Sequence, residues 1–321
     1  MVFSTRNKYS AYEGRSLVML QFGSLITAMI TPFSDDGSVD LDCFGRLADG
    51  LIGAGNDSLL VSGTTGESPV LTEAERADLY REAVNVSSGR AKVIAGTGGY
   101  NTAESIHLSK LAASCGVDGL LQVAPYYNKP PQEGLYKHFT AIANSTDLPN
   151  ILYNVPSRTV TNITASTVAR LAEVDNIVGI KEASADFDQI AEIIRLCSSE
   201  FAVYSGNDGD TFPMLALGGV GVISVASHVV SGEIARMIAL FYKGDLSEAR
   251  QLHLDLLPIF RILFPPGWSN PIAVKEAVNL AGFSVGKPRL PLVELPDDMR
   301  VELDKVMKGY SLDSFLAPMV V

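Results

Sequence analysis

Ile177-Val178-Gly179-Ile180-Lys181-Glu182-Ala183 is the stretch on which the reading of this chain turns. Its apolar, β-branched run reads as a strand covered on both faces, as strands of a parallel sheet are. A lysine closes that run. Facing the mouth of a closed barrel, it would be desolvated, which disfavours the ammonium and lowers its pKa. At the ordinary pKa near 10.4 only about one amine in 2,500 is neutral at pH 7. Tuning to ~7–8 raises that fraction by orders of magnitude, as an imine-forming nucleophile requires. The competing reading is a snorkelling Lys181 paired with Glu182.

Seven similar runs flank this one, giving strands over residues 25–30, 58–61, 92–95, 119–123, 151–153, 177–180, 202–205 and 220–225. The gaps between them carry helix signals. Thr72 with Glu75 forms a capping box, Asn101 with Glu104 suggests a second, and Pro131 suits the first turn of a helix running to about residue 145. Strand starts lie roughly 20 to 35 residues apart, enough for a crossover helix in each gap. Eight such units predict an α/β fold, a (β/α)8 TIM barrel, although a doubly wound open sheet uses the same alternation. Beyond the eighth strand only helices are expected, over 231–242, 246–263, 271–281 and 297–307. The expected organisation is a loose N-terminal arm (1–21), a barrel (22–245) and a C-terminal all-helical appendage (246–321).

Chemistry-bearing residues sit just past three strand ends. Gly63-Thr64-Thr65-Gly66-Glu67-Ser68 can converge backbone N–H groups and hydroxyls on a small anion such as a carboxylate, though a plain structural turn has the same composition. Tyr153-Asn154-Val155-Pro156-Ser157-Arg158-Thr159 offers a phenol to relay protons and a guanidinium to fork a carboxylate. Lys181 is the third. In a closed parallel barrel these loops share one mouth. In an open sheet eight strand ends would spread over ~35 Å at ~4.8 Å each and could not serve one small substrate. The joint pattern therefore favours the closed topology and Schiff-base chemistry.

Composition narrows the remaining classes. The chain has 321 residues, 47% hydrophobic and 19% charged, so disorder and low complexity are out. Its apolar runs fall far short of the ~20 residues of a membrane span. A net charge of −11 without a Lys/Arg cluster argues against nucleic acid as a partner. Three separated cysteines (Cys43, Cys115, Cys197) make no disulfide framework and suit a reducing compartment. The four histidines (His107, His138, His228, His253) form no ligand-spaced pair, so no metal is expected. Arg6, Lys8 and Arg15 precede only a short apolar patch at 17–20, too little for a secretory signal. The expected location is the cytoplasm, or a plastid if the arm is the remnant of a transit peptide.

The motifs around Thr64, Tyr153 and Lys181, together with Ala124-Pro125-Tyr126-Tyr127 and Gly221-Val222-Ile223-Ser224-Val225, resemble those of the dihydrodipicolinate synthase family, within the pyruvate-dependent class I lyases. The match runs in order from about residue 22 to 292. The resemblance implies a barrel, a homotetramer built as a dimer of dimers, no cofactor, and condensation of pyruvate with L-aspartate 4-semialdehyde toward diaminopimelate and lysine. It implies that Lys181 forms the imine and that Thr64 and Tyr153, with Tyr127 from a neighbouring subunit, form a proton relay. Thr65 would hold the pyruvate carboxylate, Arg158 the semialdehyde carboxylate, and the backbones of Gly206 and Ile223 would line the pocket. Arg158 separates this reading from N-acetylneuraminate lyases and sugar-acid aldolases or dehydratases, because a carboxylate remote from the aldehyde needs a cation. A third reading is a non-catalytic barrel acting as a binding protein.

The resemblance also places a lysine feedback site at Ser68, Pro69, Glu73, Arg76, Tyr100, Glu104 and Tyr126. Sensitive enzymes typically carry His or Trp at the place of Glu73, His at Arg76 and Asn at Tyr100, so weak or absent inhibition is expected. The plain alternative is that Glu73, Arg76 and Glu104 form solvated helix-face pairs, each contributing under ~1 kcal/mol. Lys275, in Asn270-Pro271-Ile272-Ala273-Val274-Lys275, lies on a predicted helix beyond the barrel and is read as structural, and the tail 310–321 would pack or fray.

Overall fold

Parallel strands buried on both faces need helices on both sides or closure, and this chain closes. The computed structural model describes residues 21–316. The expected arm, except Gln21, and the last five residues of the tail lie outside the described residues.

Eight strands, β1 (Leu25–Ala28), β2 (Ser58–Val61), β3 (Lys92–Gly96), β4 (Gly119–Val123), β5 (Asn150–Asn154), β6 (Ile177–Glu182), β7 (Ala202–Ser205) and β8 (Gly221–Ser224), pair in sequence order. The barrel shuts where β1 meets β8, with Ile26 opposite Ile223 and Thr27 opposite Ser224. The open-sheet alternative is thereby excluded. Observed β6 runs two residues further than its apolar run suggests, because Lys181 and Glu182 are still paired to β5 and β7.

Among the described residues, twelve helices surround and follow the strands: α1 (Leu41–Gly53), α2 (Glu73–Ser87), α3 (Thr102–Ser114), α4 (Gln132–Ala143), the single turn α5 (Pro156–Thr159), α6 (Ala165–Leu171), α7 (Phe187–Leu196), α8 (Thr211–Leu217), α9 (Ser231–Lys243), α10 (Leu246–Ile262), α11 (Ile272–Leu280) and α12 (Asp297–Met307). The Thr72/Glu75 capping box forms in full at the start of α2. At α3 the box is only half made: Asn101 accepts from the N–H groups of Ala103 and Glu104, and no return bond from the Glu104 side chain accompanies it. An asparagine cap already satisfies those orphan donors.

The barrel interior is a packed core rather than a pore, as this architecture demands. Ile26, Leu60, Ile94, Leu121, Ile151 and Ile223 fill it, and Tyr153 and Ala183 top it towards the strand C-termini. A second, larger cluster continues from the helices of the first strands through α9–α12. Among the described residues no helix is long and apolar enough to cross a membrane, and all three cysteines are free thiols.

Candidate active site

Strand pairing alone brings the central groups together. In the β5–β6–β7 register Tyr153 lies opposite Lys181, and Lys181 opposite Tyr204. Successive strand residues face opposite sides. Lys181 therefore turns into the barrel mouth with Tyr153, while Glu182 turns out towards the helices. The expected alternative of a Lys181–Glu182 surface pair is overturned: both are buried, at 5% and 1% exposed, and Glu182 bonds elsewhere.

Lys181 Nζ lies 4.4 Å from the centroid of the Tyr153 ring. Burial pushes its pKa from 10.5 down to about 8, with Arg158 adding to the depression and the buried Asp208 carboxylate opposing it. At about 8, roughly one amine in ten is neutral at pH 7, a gain of some two orders of magnitude over a free lysine. Burial raises the Tyr153 pKa, against the nearby Arg158 charge and a hydrogen bond with the Thr64 side chain. Tyr153 is thus a neutral phenol, able to donate and to accept, linked to Thr64 on one side and lying over the amine on the other.

The glycine–threonine turn is built from both ends of the chain. Glu67 N–H donates to Thr64 O (3.1 Å) and Ser68 N–H to Gly63 O (3.3 Å), while Thr31 Oγ1 donates to Gly66 O (2.7 Å). Asn270 Nδ2 donates to Thr65 Oγ1 at 2.9 Å. That leaves the Thr65 hydroxyl proton free to point at an anion. Below the turn, Glu67 sits in the left-handed region (φ 56°) and receives Lys275 Nζ at 2.7 Å and Arg289 N–H at 2.8 Å. Lys275 therefore does have the structural role read from sequence: from α11 it reaches back to hold Glu67 beneath the turn.

Arg158 stands on α5, one turn started by Pro156 and ended by Val160 in the left-handed region (φ 55°). Gly206 N–H donates to Glu182 O at 2.7 Å, and a Cβ there would come within 2.5 Å of the Ala183 Cβ, so only glycine fits. Ile223 is fully buried in the same inner cluster as Tyr153. Tyr127 does not join Lys181 within this chain: it is 91% exposed, at a φ of 69°.

The residues expected to form a feedback site are only partly gathered. Tyr100 and Tyr126 meet edge to face at 5.0 Å between centroids. Burial raises the Tyr126 pKa, reinforced by Tyr100 and Glu104 and opposed by Arg76, so these four share one region. Arg76 Nη2 is committed to Ser68 O at 2.5 Å, beside Pro69, whereas Glu73 turns away to His107 at 2.9 Å.

Sequence reading gave no role to two buried polar residues around the site, Asp208 and Asn270, and offered Glu182 only as a partner of Lys181. Asp208 accepts from Ser224 Oγ (2.5 Å) and from the N–H groups of Val225 and Ala226 (3.1 Å each), tying the β7 loop to the end of β8. Its place two residues after Gly206 was the available signal.

Closed barrel, depressed lysine, adjoining phenol, guanidinium and hydroxyl-bearing turn define a Schiff-base-forming lyase of the (β/α)8 class. The chain belongs to the dihydrodipicolinate synthetase family, whose model matches residues 21–310. It is 51% identical over 295 residues to the 4-hydroxy-tetrahydrodipicolinate synthase of Heliobacterium modesticaldum, covering 92% of this chain and 98% of that relative. Among solved structures it is similar to dihydrodipicolinate synthase from Bacillus anthracis, with a TM-score of 0.88 and 47% identity over 91% of this chain and 100% of that one. The lysine-bound enzyme of Cyanidioschyzon merolae is also similar, with a TM-score of 0.88 and 46% identity over 90% of this chain and 98% of that one.

Proposed function

We propose that this chain condenses pyruvate with L-aspartate 4-semialdehyde to give 4-hydroxy-tetrahydrodipicolinate, in lysine and diaminopimelate biosynthesis. The observation that carries this reading is a fully desolvated amine, Lys181, lowered to about 8 beside Tyr153. Neutral Lys181 adds to the pyruvate ketone carbon, and the oxygen leaves as water, protonated through Tyr153 and Thr64. The resulting iminium acidifies the methyl group, and loss of its proton gives an enamine that attacks the aldehyde. The substrate's own amine then displaces Lys181 Nζ from the former ketone carbon, which closes the ring and frees the enzyme.

Thr65, through its hydroxyl and backbone, holds the pyruvate carboxylate, and Arg158 the remote one, with the Gly206 and Ile223 backbones lining the space between. Tyr127 completes the relay of a neighbouring subunit in a dimer of dimers, and the enzyme works in the cytoplasm. Its working organisation is an arm (1–21), a catalytic barrel (22–245) and a helical region (246–321). The sugar-lyase alternatives leave Arg158 without a task.

Borohydride reduction in the presence of pyruvate tests the reading: mass analysis should place one pyruvyl adduct on Lys181, and no adduct would refute it. Arg158→Ala should cut kcat/KM for the semialdehyde by about 100-fold or more, as loss of a charge-assisted bidentate contact does, while the pyruvate adduct still forms. Equal loss of both steps would contradict the role given to Arg158.

Inhibition by free lysine is expected to be weak or absent, since Arg76 adds a cation among the feedback residues and Glu73 is engaged with His107. A coupled assay across micromolar to millimolar lysine decides this; strong inhibition in the micromolar range would overturn it.

A further inference from the structure

Directly behind Lys181, on the outer face of the strands, lies a buried polar cluster centred on Glu182. Its geometry follows from the register that pairs Tyr153 with Lys181, because the same register pairs Asn154 with Glu182 one residue on. Inner and outer pairs are two sides of the same strand ends. Asn154 Nδ2 lies 3.1 Å from each Glu182 carboxylate oxygen. Ser184 N–H donates to Oε1 at 2.8 Å and Gln189 Nε2, from α7, to Oε2 at 3.3 Å. Glu182 is 1% exposed and makes no ion pair among the described residues.

The cluster also grips both ends of the loop that carries Arg158. Asn154 Oδ1 accepts from Ile163 N–H at 3.0 Å, and Asn154 Nδ2 donates to Asn162 Oδ1 at 2.8 Å. Asn162 and Gln189 exchange amide hydrogen bonds at 2.7 and 3.2 Å. Residues 155–161, with Arg158 among them, thus span two anchored points that both report to one carboxylate. Burial raises the Glu182 pKa and the hydrogen bonds from Asn154, Ser184 and Gln189 oppose that rise; a carboxylate buried with no cation partner is expensive to keep, and a neutral side chain here would fold more cheaply. Every group that reaches Glu182 is a donor, and Asn154 cannot turn its amide without setting its NH2 against Ile163 N–H.

We infer that Glu182 is a positioning residue for the condensation, setting Tyr153 and the Arg158 loop against Lys181 through Asn154, Asn162 and Gln189. The inference rests on the function proposed above. Glu182→Gln places an amide NH2 among donors, so the strand ends and the loop lose their common acceptor. A displacement of about 1 Å at reacting groups costs up to about 100-fold, so kcat/KM for the semialdehyde should fall about 10- to 100-fold with a raised KM. The pyruvate adduct on Lys181 should still form, because the amine faces the barrel mouth while Glu182, the next residue of the strand, faces outward.

The double variant Asn154→Asp with Glu182→Gln reverses the polarity of the pair, and the Asn162–Gln189 amides can reverse with it. It should be better than Glu182→Gln alone by about 5-fold or more, a coupling that independent sites would not show. If Glu182→Gln does not fold, Gln189→Met removes one donor and the tie to Asn162, and should lower kcat/KM for the semialdehyde about 3- to 10-fold. The inference is overturned by a folded Glu182→Gln enzyme within twofold of wild type, by one that loses the adduct equally, or by a double variant no better than the single. In the Gln189→Met arm, activity within twofold of wild type overturns it. Failure of wild type itself to form the adduct would sink the proposed function instead, so the two failures are distinct.

Discussion

Lys181→Met is expected to abolish condensation and, at neutral pH, to make the protein more stable than wild type. The lysine is buried with a pKa lowered from 10.5 to about 8. Below pH 8 it is protonated in both the folded and the unfolded chain, so the full cost of burying the ammonium weighs on the folded state. Each tenfold weakening of proton binding corresponds to about 1.4 kcal/mol, which puts this cost at about 3 kcal/mol. Between about pH 8 and 10.5 the folded protein has released its proton and the unfolded chain still holds one. Wild-type stability therefore climbs with pH through that window, and the penalty is gone above it.

Methionine fills nearly the same volume without a charge, so the variant should gain several degrees in Tm at pH 7. The gain should shrink steadily from pH 8 upwards. Thermal unfolding of both proteins at pH 7, 9 and 10.5 provides the measurement. A variant less stable than wild type at pH 7, or an advantage that does not narrow with pH, would contradict the buried-ammonium account. Loss of activity with a gain in stability is the signature of a group held in place for chemistry rather than for folding.

The opposite outcome is expected at the other buried lysine: burial lowers the Lys275 pKa too, but Glu67 opposes that shift through a direct contact and would be stranded by the substitution. Lys275 and Glu67 form an ion pair at 2.7 Å with both side chains 1% exposed. Lys275→Met would leave the Glu67 carboxylate buried against the Arg289 N–H without its cation, and breaking such a pair costs about 3–5 kcal/mol. Urea unfolding should show that loss, accompanied by lower activity, because Glu67 closes the turn that carries Thr64 and Thr65. Adding Glu67→Gln to Lys275→Met should return most of the stability, since neutral partners no longer strand a charge. A Lys275→Met protein as stable as wild type would show that the pair is dispensable.

The two lysines also mark where sequence reading succeeds and where it stops. Lys181 was legible because its meaning is local: an apolar, β-branched run ends on it, and strand alternation decides which way it points. The loops with Thr64 and with Tyr153 and Arg158 were legible once closure put all strand ends at one mouth. The direction of Glu182 followed from the same alternation, yet its partners did not, since Asn162 and Gln189 are reached only through the folded loop and α7. Lys275 could be called structural from its helix, but not assigned to Glu67, 208 residues away.

Short-range regularities thus determined the eight strands and the capping at Thr72 and Asn101, because propensity, capping and face alternation act over a few residues. Only the tertiary structure decided that Asn270 reaches Thr65, that Lys275 neutralises Glu67 beneath the same turn, and that Asp208 bridges the loops after β7 and β8. Those pairings depend on where separate segments stop in space. Desolvation, which lowers the Lys181 pKa and gives Glu67 its need for a partner, exists only once the core has closed around them.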